Sequence, residues 1–384
     1  MPSPDFATPG SAAPDPAAIA RDLWWAGVRA VDGHASVTRA LKDHAIPRPD
    51  RILAVGKAAV PMCRAAVDRF GHDIPALAIT KTGHAAPDGT DPFEVIEAAH
   101  PVPDASSLHA GARLLAAVEA MGPQDHLLLL VSGGASSLAE VPVAGVSLGD
   151  IGALNREILA AGLNIAEMNA RRRRVSRIKG GGLLAAFGGA SVTVLAISDV
   201  AGDALGTIGS GIGAAPATHG FAFTAHIVAS NAIARQAAAS AAAARGLAVL
   251  TNAETLYHDV GVDAATVGQV LRATPPGVHI WGGEPTVILP PDPGTGGRNQ
   301  ALALEIAREI RGCDRIAVLV AGTDGSDGPT TAAGGLVDGS TWQDAGAGAL
   351  CRADSGSFLR ARGALFTTGP TGTNVMDLII AVSA

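Results

Sequence analysis

The chain has 384 residues, 48% apolar and 16% charged, which is enough hydrophobicity for large cores and too little charge for a disordered polymer. At about 100–200 residues per domain this length predicts two domains. A net charge of −7 and an aromatic content of 3% exclude a general nucleic-acid or membrane-surface binder, though not an anionic small substrate. Glycine is the outlier, with 48 residues of 384 against an average of about 7%; the glycines are clustered and show no collagen period, which points to many tight loops. Cys63, Cys313 and Cys351 lie far apart without a C-x-x-C pattern and read as buried thiols of a reducing compartment. No apolar stretch reaches the about 18 residues of a membrane span. Met1–Pro14 lacks Lys, Arg and an apolar segment, so it reads as the disordered tail of a cytoplasmic protein.

Structure is expected to begin at Asp15-Pro16, an N-cap followed by proline at the first helical position. Ile19, Leu23, Ala26 and Ala30 then keep roughly helical spacing, with Trp24 or Trp25 at the edge of that face. From there a short apolar run ending in glycine alternates with a helical stretch. The runs are Ile52–Val55, Leu77–Ile79, Phe93–Ile96, Leu127–Val131, Val192–Ile197 and His226–Val228, then Ala248–Leu250, Val278–Trp281, Ile316–Val320 and Leu365–Thr367. Such alternation predicts an α/β fold with parallel sheets covered on both faces. The alanine-rich Gln236–Arg245 reads as a helix closed by Gly246. The domain change is placed there, with an N-terminal Rossmann-like α/β domain over 15–246 and a smaller C-terminal α/β domain over 247–384.

Ligands of open α/β sheets bind beyond the carboxyl ends of the strands, where loops present backbone N–H groups to anions. Seven such loops are glycine-rich and polar. Gly56-Lys57 follows the first strand, but no Walker A pattern occurs. Ser132-Gly133-Gly134-Ala135-Ser136-Ser137 follows the most apolar strand and does not fit a nucleophile elbow. Arg171–Arg174, Arg177 and Lys179 precede Gly180–Gly182; much of that charge reads as a solvated face, but three consecutive glycines imply a close backbone approach. Asp199 and Asp203 sit among glycines after the next strand. The remaining loops are Gly282-Gly283-Glu284 with Gly294–Gln300, then Gly322–Pro329 with Asp324 and Asp327, and Thr368–Asn374. Asp324 and Asp327 alternate with glycine and hydroxyl residues in the manner of a hard-cation site, without an EF-hand's closing glutamate, and so suit magnesium. Each loop alone can be read as a turn with a helix cap. Together they supply the cations, carboxylates and N–H cradles of phosphoryl transfer.

These blocks, in order from about Leu23 to Leu378, resemble the class II glycerate kinases, whose C-terminal domain is of the MOFRL type. The resemblance rests on Val55–Ala59, His100–Asp104, Leu129–Leu138, Ser176–Gly181, Ser198–Val200, Gly283–Val287, Gly296–Gln300, Gly322–Pro329 and Thr368–Asn374. It implies ATP-dependent phosphorylation of D-glycerate, usually to 2-phosphoglycerate, with Mg²⁺, in a cleft between two domains. Carried over by position, the catalytic residues are Lys57, Asp199, Arg298 and Asp324. Lys57 and Arg298 would neutralise the transferring phosphoryl group. Of Asp199, Asp324 and Asp327, one would hold Mg²⁺ (Asp324 and Asp327 being the metal candidates) and another would accept the hydroxyl proton. Ser132, Gly133, Gly134, Ser136, Ser137, Lys179, Gly180, Gly297 and Asn299 would hold carboxylate or phosphates. The resemblance leaves a homo-oligomer open.

Two features depart from the family pattern. After Ser210-Gly211 a helical segment is missing, and Ala301 stands where the family has glutamate. The shortening keeps a ligand-binding, non-catalytic paralogue in view. A hydroxypyruvate reductase is the other alternative, but it would need a dinucleotide fingerprint; Gly206–Gly211 spaces its glycines in the wrong order, and the Gly180–Gly182 triplet has no acidic partner in the right context.

Overall fold

The computed structural model describes residues 15–85, 89–160 and 165–383; the expected tail, residues 1–14, lies outside them. Helix α1 (Pro16–Ala30) starts as expected, with Asp15 Oδ1 accepting the Ala17 N–H at 3.0 Å, and is followed by α2 (Gly33–Asp43). Then come β1 (Arg51–Val55), α3 (Ala59–Phe70), β2 (Ala76–Lys81), β3 (Glu94–Ala98), α4 (Ala105–Glu119) and β4 (His126–Val131). Four helices, α5 (Ala135–Leu138), α6 (Leu148–Ala160), α7 (Ile165–Arg174) and α8 (Gly182–Ala185), separate β4 from β5 (Ser191–Ile197). Two short 3-10 turns, Ala201–Asp203 and Ile208–Gly211, are the only helical pieces between β5 and β6 (Ala222–Ala229), after which α9 (Asn231–Ala244) follows. The rest is β7 (Val249–Leu256), α10 (Val260–Ala273), β8 (Gly277–Gly283), α11 (Arg298–Glu309), β9 (Ile316–Gly322) and β10 (Gly334–Asp338), then α12 (Ala345–Cys351), α13 (Ser355–Ala361), β11 (Leu365–Phe366) and β12 (Asp377–Ser383).

The first sheet is parallel, in the order β3-β2-β1-β4-β5-β6. Alternate side chains of each strand feed opposite faces. Ile52 and Ala54 pack with Val37 and Leu41 of α2 and Met62 of α3. Leu53 and Val55 pack with Leu114 and Val118 of α4 and Leu183 of α8. Burial on both faces is why these strands read as continuous apolar runs. The strand order reverses between β1 and β4, so their carboxyl-end loops lie side by side at the switch point where such sheets bind ligands.

The second sheet has the order β11-β10-β9-β12-β8-β7, and only β7–β8 is parallel. This corrects the expectation of parallel sheets throughout. The apolar runs predicted burial but carried no information on strand direction. The strand list also lacked β12, which is central, and β10, whose Gly334 lies so close to β9 that a Cβ there would stand 1.9 Å from the Val320 carbonyl oxygen.

The division at Gly246 has to be amended in space. Helices α1 and α9, which precede it, cover one face of the second sheet: Leu23, Trp24 and Val28 with Ala238 and Ala242 pack on Ile280, Leu319 and Leu378. Trp24 meets Phe366 edge-on at 5.1 Å between ring centroids. Helices α10 and α11 cover the opposite face with Val267, Leu302 and Ile306. The cysteine expectation also needs correcting: all three are free, but Cys63 alone is buried, Cys313 is half-buried and Cys351 is exposed. Among the described residues no helix is long and apolar enough to cross a membrane.

Gly27 lets α1 approach α9 closely, because a Cβ there would stand 2.8 Å from Leu378 Cδ2 and 2.9 Å from the Ala234 carbonyl oxygen. Gly27→Val is expected to destabilise the fold by about 1–3 kcal/mol through overpacking. Urea unfolding followed by circular dichroism checks this, and an unchanged midpoint would contradict it.

Candidate active site

The site starts with two interlocked loops. Gly56, just past β1, has φ +131°, and a Cβ there would lie 2.1 Å from Ser132 Oγ, so only glycine lets the β1 loop rest on the β4 loop. Ser132 Oγ accepts the Ala58 N–H at 3.0 Å, and the Lys57 N–H donates to the Gly133 carbonyl at 2.9 Å. Lys57 is thereby aimed out of the first sheet at the second, where its Nζ lies 2.6 Å from Asp324 Oδ2. The two side chains are only 13% and 8% exposed, so the pair is shielded from water. Asp324 Oδ1 accepts the Ser326 N–H at 2.9 Å and the Ser326 hydroxyl at 3.0 Å. Burial raises the Asp324 carboxyl, but Lys57 and Ser326 outweigh it and hold the group below the usual carboxylate range.

Arg298 is the first residue of α11, and its helix is anchored by Asp327. The Asp327 oxygens accept the Asn299 N–H at 3.1 Å and the Gln300 N–H at 2.8 Å, satisfying donors that a helix start leaves open. Burial nevertheless pushes this carboxyl up to about 7. The Arg298 guanidinium donates through Nε to Asp377 Oδ2 at 2.7 Å and through Nη2 to Oδ1 at 3.2 Å, while Nη1 meets Glu284 Oε1 at 2.9 Å. Burial opposes the charge, but Asp377 and Glu284 together fasten it more firmly than in water. Asn299 Nδ2 adds a 2.8 Å bond to Asp377 Oδ1. Asp377 opens β12 and Glu284 follows β8, so two neighbouring strands aim both carboxylates at Arg298.

Asp199 lies beyond the end of β5. Burial, then the like charges of Glu284 and Asp324 against the opposing Lys57, raise its carboxyl to about 6. Asn374 Nδ2 donates to Asp199 Oδ2 at 3.3 Å. Gly133 makes room for both: a Cβ on it would lie 2.1 Å from Asn374 Nδ2 and 2.1 Å from Asp199 Oδ2.

Lys57, Asp199, Arg298, Asp324, Asp327 and Gly134 line one cavity of about 980 Å³ between the two sheets. Four further titratable residues of the lining had no assigned role in the sequence reading: Lys81, His100, Glu284 and Asp377. Glu284 and His100 fall inside motifs already singled out. Asp377 was signalled only as a carboxylate opening an apolar run, three residues past Asn374.

Several expected ligand contacts are corrected. Ser132 is buried and its hydroxyl braces the β1 loop. Ser136 Oγ lies 2.8 Å from Ser210 Oγ, which donates to Asn169 Oδ1 at 2.9 Å. The Ser137 N–H closes the α5 turn on the Gly134 carbonyl. Lys179 forms a buried ion pair with Glu140. The Gly180 and Gly181 N–H groups donate to the Ser210 and Gly211 carbonyls, each at 2.9 Å. The glycine triplet does permit a close backbone approach, which is to the Ile208–Gly211 turn. Ser132, Ser136, Ser137, Lys179 and Gly180 do not line the cleft. Gly297 and Asn299 act behind Arg298: a Cβ on Gly297 would strike Asp327 at 2.2 Å.

Among the described residues no group of three or more His, Cys, Asp or Glu side chains forms a metal cage. Magnesium needs none, since it takes one or two carboxylates with substrate phosphates and water. Glu284 and Asp324 both repel the Asp199 carboxylate, a repulsion that a bound divalent cation would relieve.

Two family models match the chain: a domain of unknown function, DUF4147, over residues 19–245, and the MOFRL family over residues 277–377. A D-glycerate 2-kinase of Thermotoga maritima is 36% identical over 86% of this chain and 90% of its own length. The chain belongs to the class II glycerate kinase family. It is accordingly an enzyme of the kinase class. The crystal structure of a glycerate kinase from Thermotoga maritima superposes with a TM-score of 0.83 at 33% identity, covering 96% of this chain and 99% of that one. A relative from Agrobacterium vitis, 36% identical over 85% of this chain and 97% of its own, carries the provisional name of a hydroxypyruvate reductase.

Two predictions follow from this geometry. Gly133→Ala displaces Asp199 and Asn374, which are flexible side-chain ends, so kinase kcat/KM is expected to fall about tenfold or more with little change in unfolding temperature. Steady-state kinetics and a melting curve on one preparation check it. The second concerns the charge on Asp199. Its folded pKa of about 6 lies above the unfolded value of about 3.9, so between them the folded chain holds a proton that the unfolded chain has released. Stability is lost as pH rises through that window. In metal-free buffer Asp199→Asn should therefore melt higher than wild type above pH 6 and lack this loss, and a parallel pair of pH profiles would refute the assignment.

Proposed function

We propose that this kinase transfers the γ-phosphoryl group of ATP to D-glycerate, giving 2-phosphoglycerate, in the cavity between the two sheets. The observation that carries the reading is that Lys57 and Arg298, presented by loops of different sheets, line one cavity together with Asp199 and Asp324. Loose phosphoryl-transfer transition states spread negative charge over the transferring oxygens, and fixed cations in a partly dry cleft stabilise it. Lys57 is held for this by Asp324, and Arg298 by Asp377. Asp199, with a carboxyl near 6, suits a base that accepts the glycerate hydroxyl proton at neutral pH. Mg²⁺, when bound, would be held by Asp324 and Glu284 with the nucleotide phosphates and would neutralise charge on the transferring group. Asp327 is given the cap of α11 instead of the metal, because its carboxyl receives two N–H groups and is raised to about 7, whereas that of Asp324 is held ionised. The cytoplasm is the proposed compartment.

Two observations weigh against the alternatives. A reductase would need a free glycine loop for a dinucleotide, whereas the Gly180–Gly182 turn is bonded to the Ile208–Gly211 turn. The shortened connection after Gly211 still delivers β6 to its place in the sheet, and no cavity-lining residue falls between Asp199 and Glu284. The deletion therefore gives little support to a degenerate paralogue.

A coupled assay for ADP across D-glycerate, L-glycerate and related hydroxy acids is expected to show Mg²⁺-dependent turnover with D-glycerate, and product NMR to show the phosphate on carbon 2. Lys57→Ala should lower kcat/KM by about 10²–10³-fold in protein that is less stable but that circular dichroism shows to be folded at the assay temperature. Folded protein that forms no ADP, or that oxidises NADH with hydroxypyruvate instead, would overturn the reading.

A further inference from the structure

Two of the three cations lining the cleft arrive with their charges matched: Lys57 by Asp324, and Arg298 by Asp377 and Glu284. Lys81 does not. It closes β2 opposite Ala98, at the same carboxyl edge that presents Lys57 after β1 and His100 after β3. It is half-buried, lines the cavity and, among the described residues, makes no ion pair. The two imidazoles that feel its charge offer no counter-charge. Burial, then Lys57 and Lys81, push the His100 imidazole down to about 3, and burial and Lys81 depress His84 as well, so both rings are neutral at physiological pH. The lining carboxylates come from elsewhere: Asp199 from the far side of the first sheet's switch point, and Glu284, Asp324, Asp327 and Asp377 from the second sheet's loops. The cleft is thus polarised, with carboxylates that suit a cation on one side and, at the β2–β3 edge, an ammonium that has no ion-pair partner among the described residues. An ammonium carries three donors, and in a partly desolvated site a bond from it to an anionic oxygen is among the stronger available.

We propose that Lys81 binds an anionic oxygen group of the substrates, either the carboxylate of the hydroxy acid or a phosphate of the nucleotide, and so helps determine specificity. It takes over the anchoring role that the sequence had given to Lys179, whose charge is spent on Glu140. The inference rests on the kinase reading of the cleft.

Calorimetric titration of D-glycerate and of Mg·ATP, separately, into wild type, Lys81→Met and Lys81→Arg tests it, with turnover measured in parallel. Lys81→Met is expected to weaken one of the two ligands by about tenfold or more, and Lys81→Arg to restore most of that loss. Loss confined to D-glycerate identifies the carboxylate, and loss confined to Mg·ATP identifies a phosphate. Both affinities within about twofold of wild type in Lys81→Met, alongside normal wild-type turnover, would overturn this inference and leave the kinase reading intact. Lys81-dependent binding by a chain that forms no ADP would do the reverse, and wild type that binds neither ligand would remove both.

Discussion

The ion pair between Lys57 and Asp324 joins loops that belong to different sheets, and the rest of the site is arranged around it. At 2.6 Å and with both side chains nearly buried, each charge depends on the other. Removing one partner of such a pair costs about 3–5 kcal/mol, because the remaining charge is left without compensation. Each end is also fixed independently. Gly56 lying on Ser132 sets the direction of Lys57, while Thr323, bonded to the Met376 carbonyl at 2.6 Å, holds the Asp324 loop against the entry to β12. That entry carries Asn374 and Asp377, so one short stretch positions Asp199 through the first and Arg298 through the second.

The charge distribution follows from that assembly. Acidic groups outnumber cations along the cleft, and at Asp199 burial first, then the like charges of Glu284 and Asp324, make the carboxyl hold its proton more tightly than usual. Such crowding is unfavourable for the folded chain by itself and would be relieved by a bound cation. Lys81, which has no ion pair among the described residues, and the neutral His100 lie at the opposite edge of the cavity.

Much of this was legible in the chain itself. The first sheet's strands are buried on both faces, so they stand out as apolar runs, and the helix caps at Asp15 and Gly246 are local chemistry. The loops that hold Lys57, Asp199, Arg298 and Asp324 stood out by their glycines at the end of a strand or the start of a helix, and the resemblance to the family singled out these four within them. The errors share a cause. Ser136, Lys179 and Gly180 have the composition of a ligand loop, but their partners, Ser210 and Glu140, are dozens of residues away, and nothing local shows that a hydroxyl or an ammonium is already taken.

The chain alone determined the fold class, the positions of most strands and the loops that carry charge, since periodicity, caps and glycine conformations act over a few residues. Only the tertiary structure decided that β12 runs antiparallel between β8 and β9, that α1 and α9 cover the second sheet, and that Asp377 rather than substrate receives the Arg298 guanidinium in the free chain. Strand direction, helix docking and ion pairing across 79 or 267 residues of sequence depend on packing between surfaces that meet only when both sheets have formed.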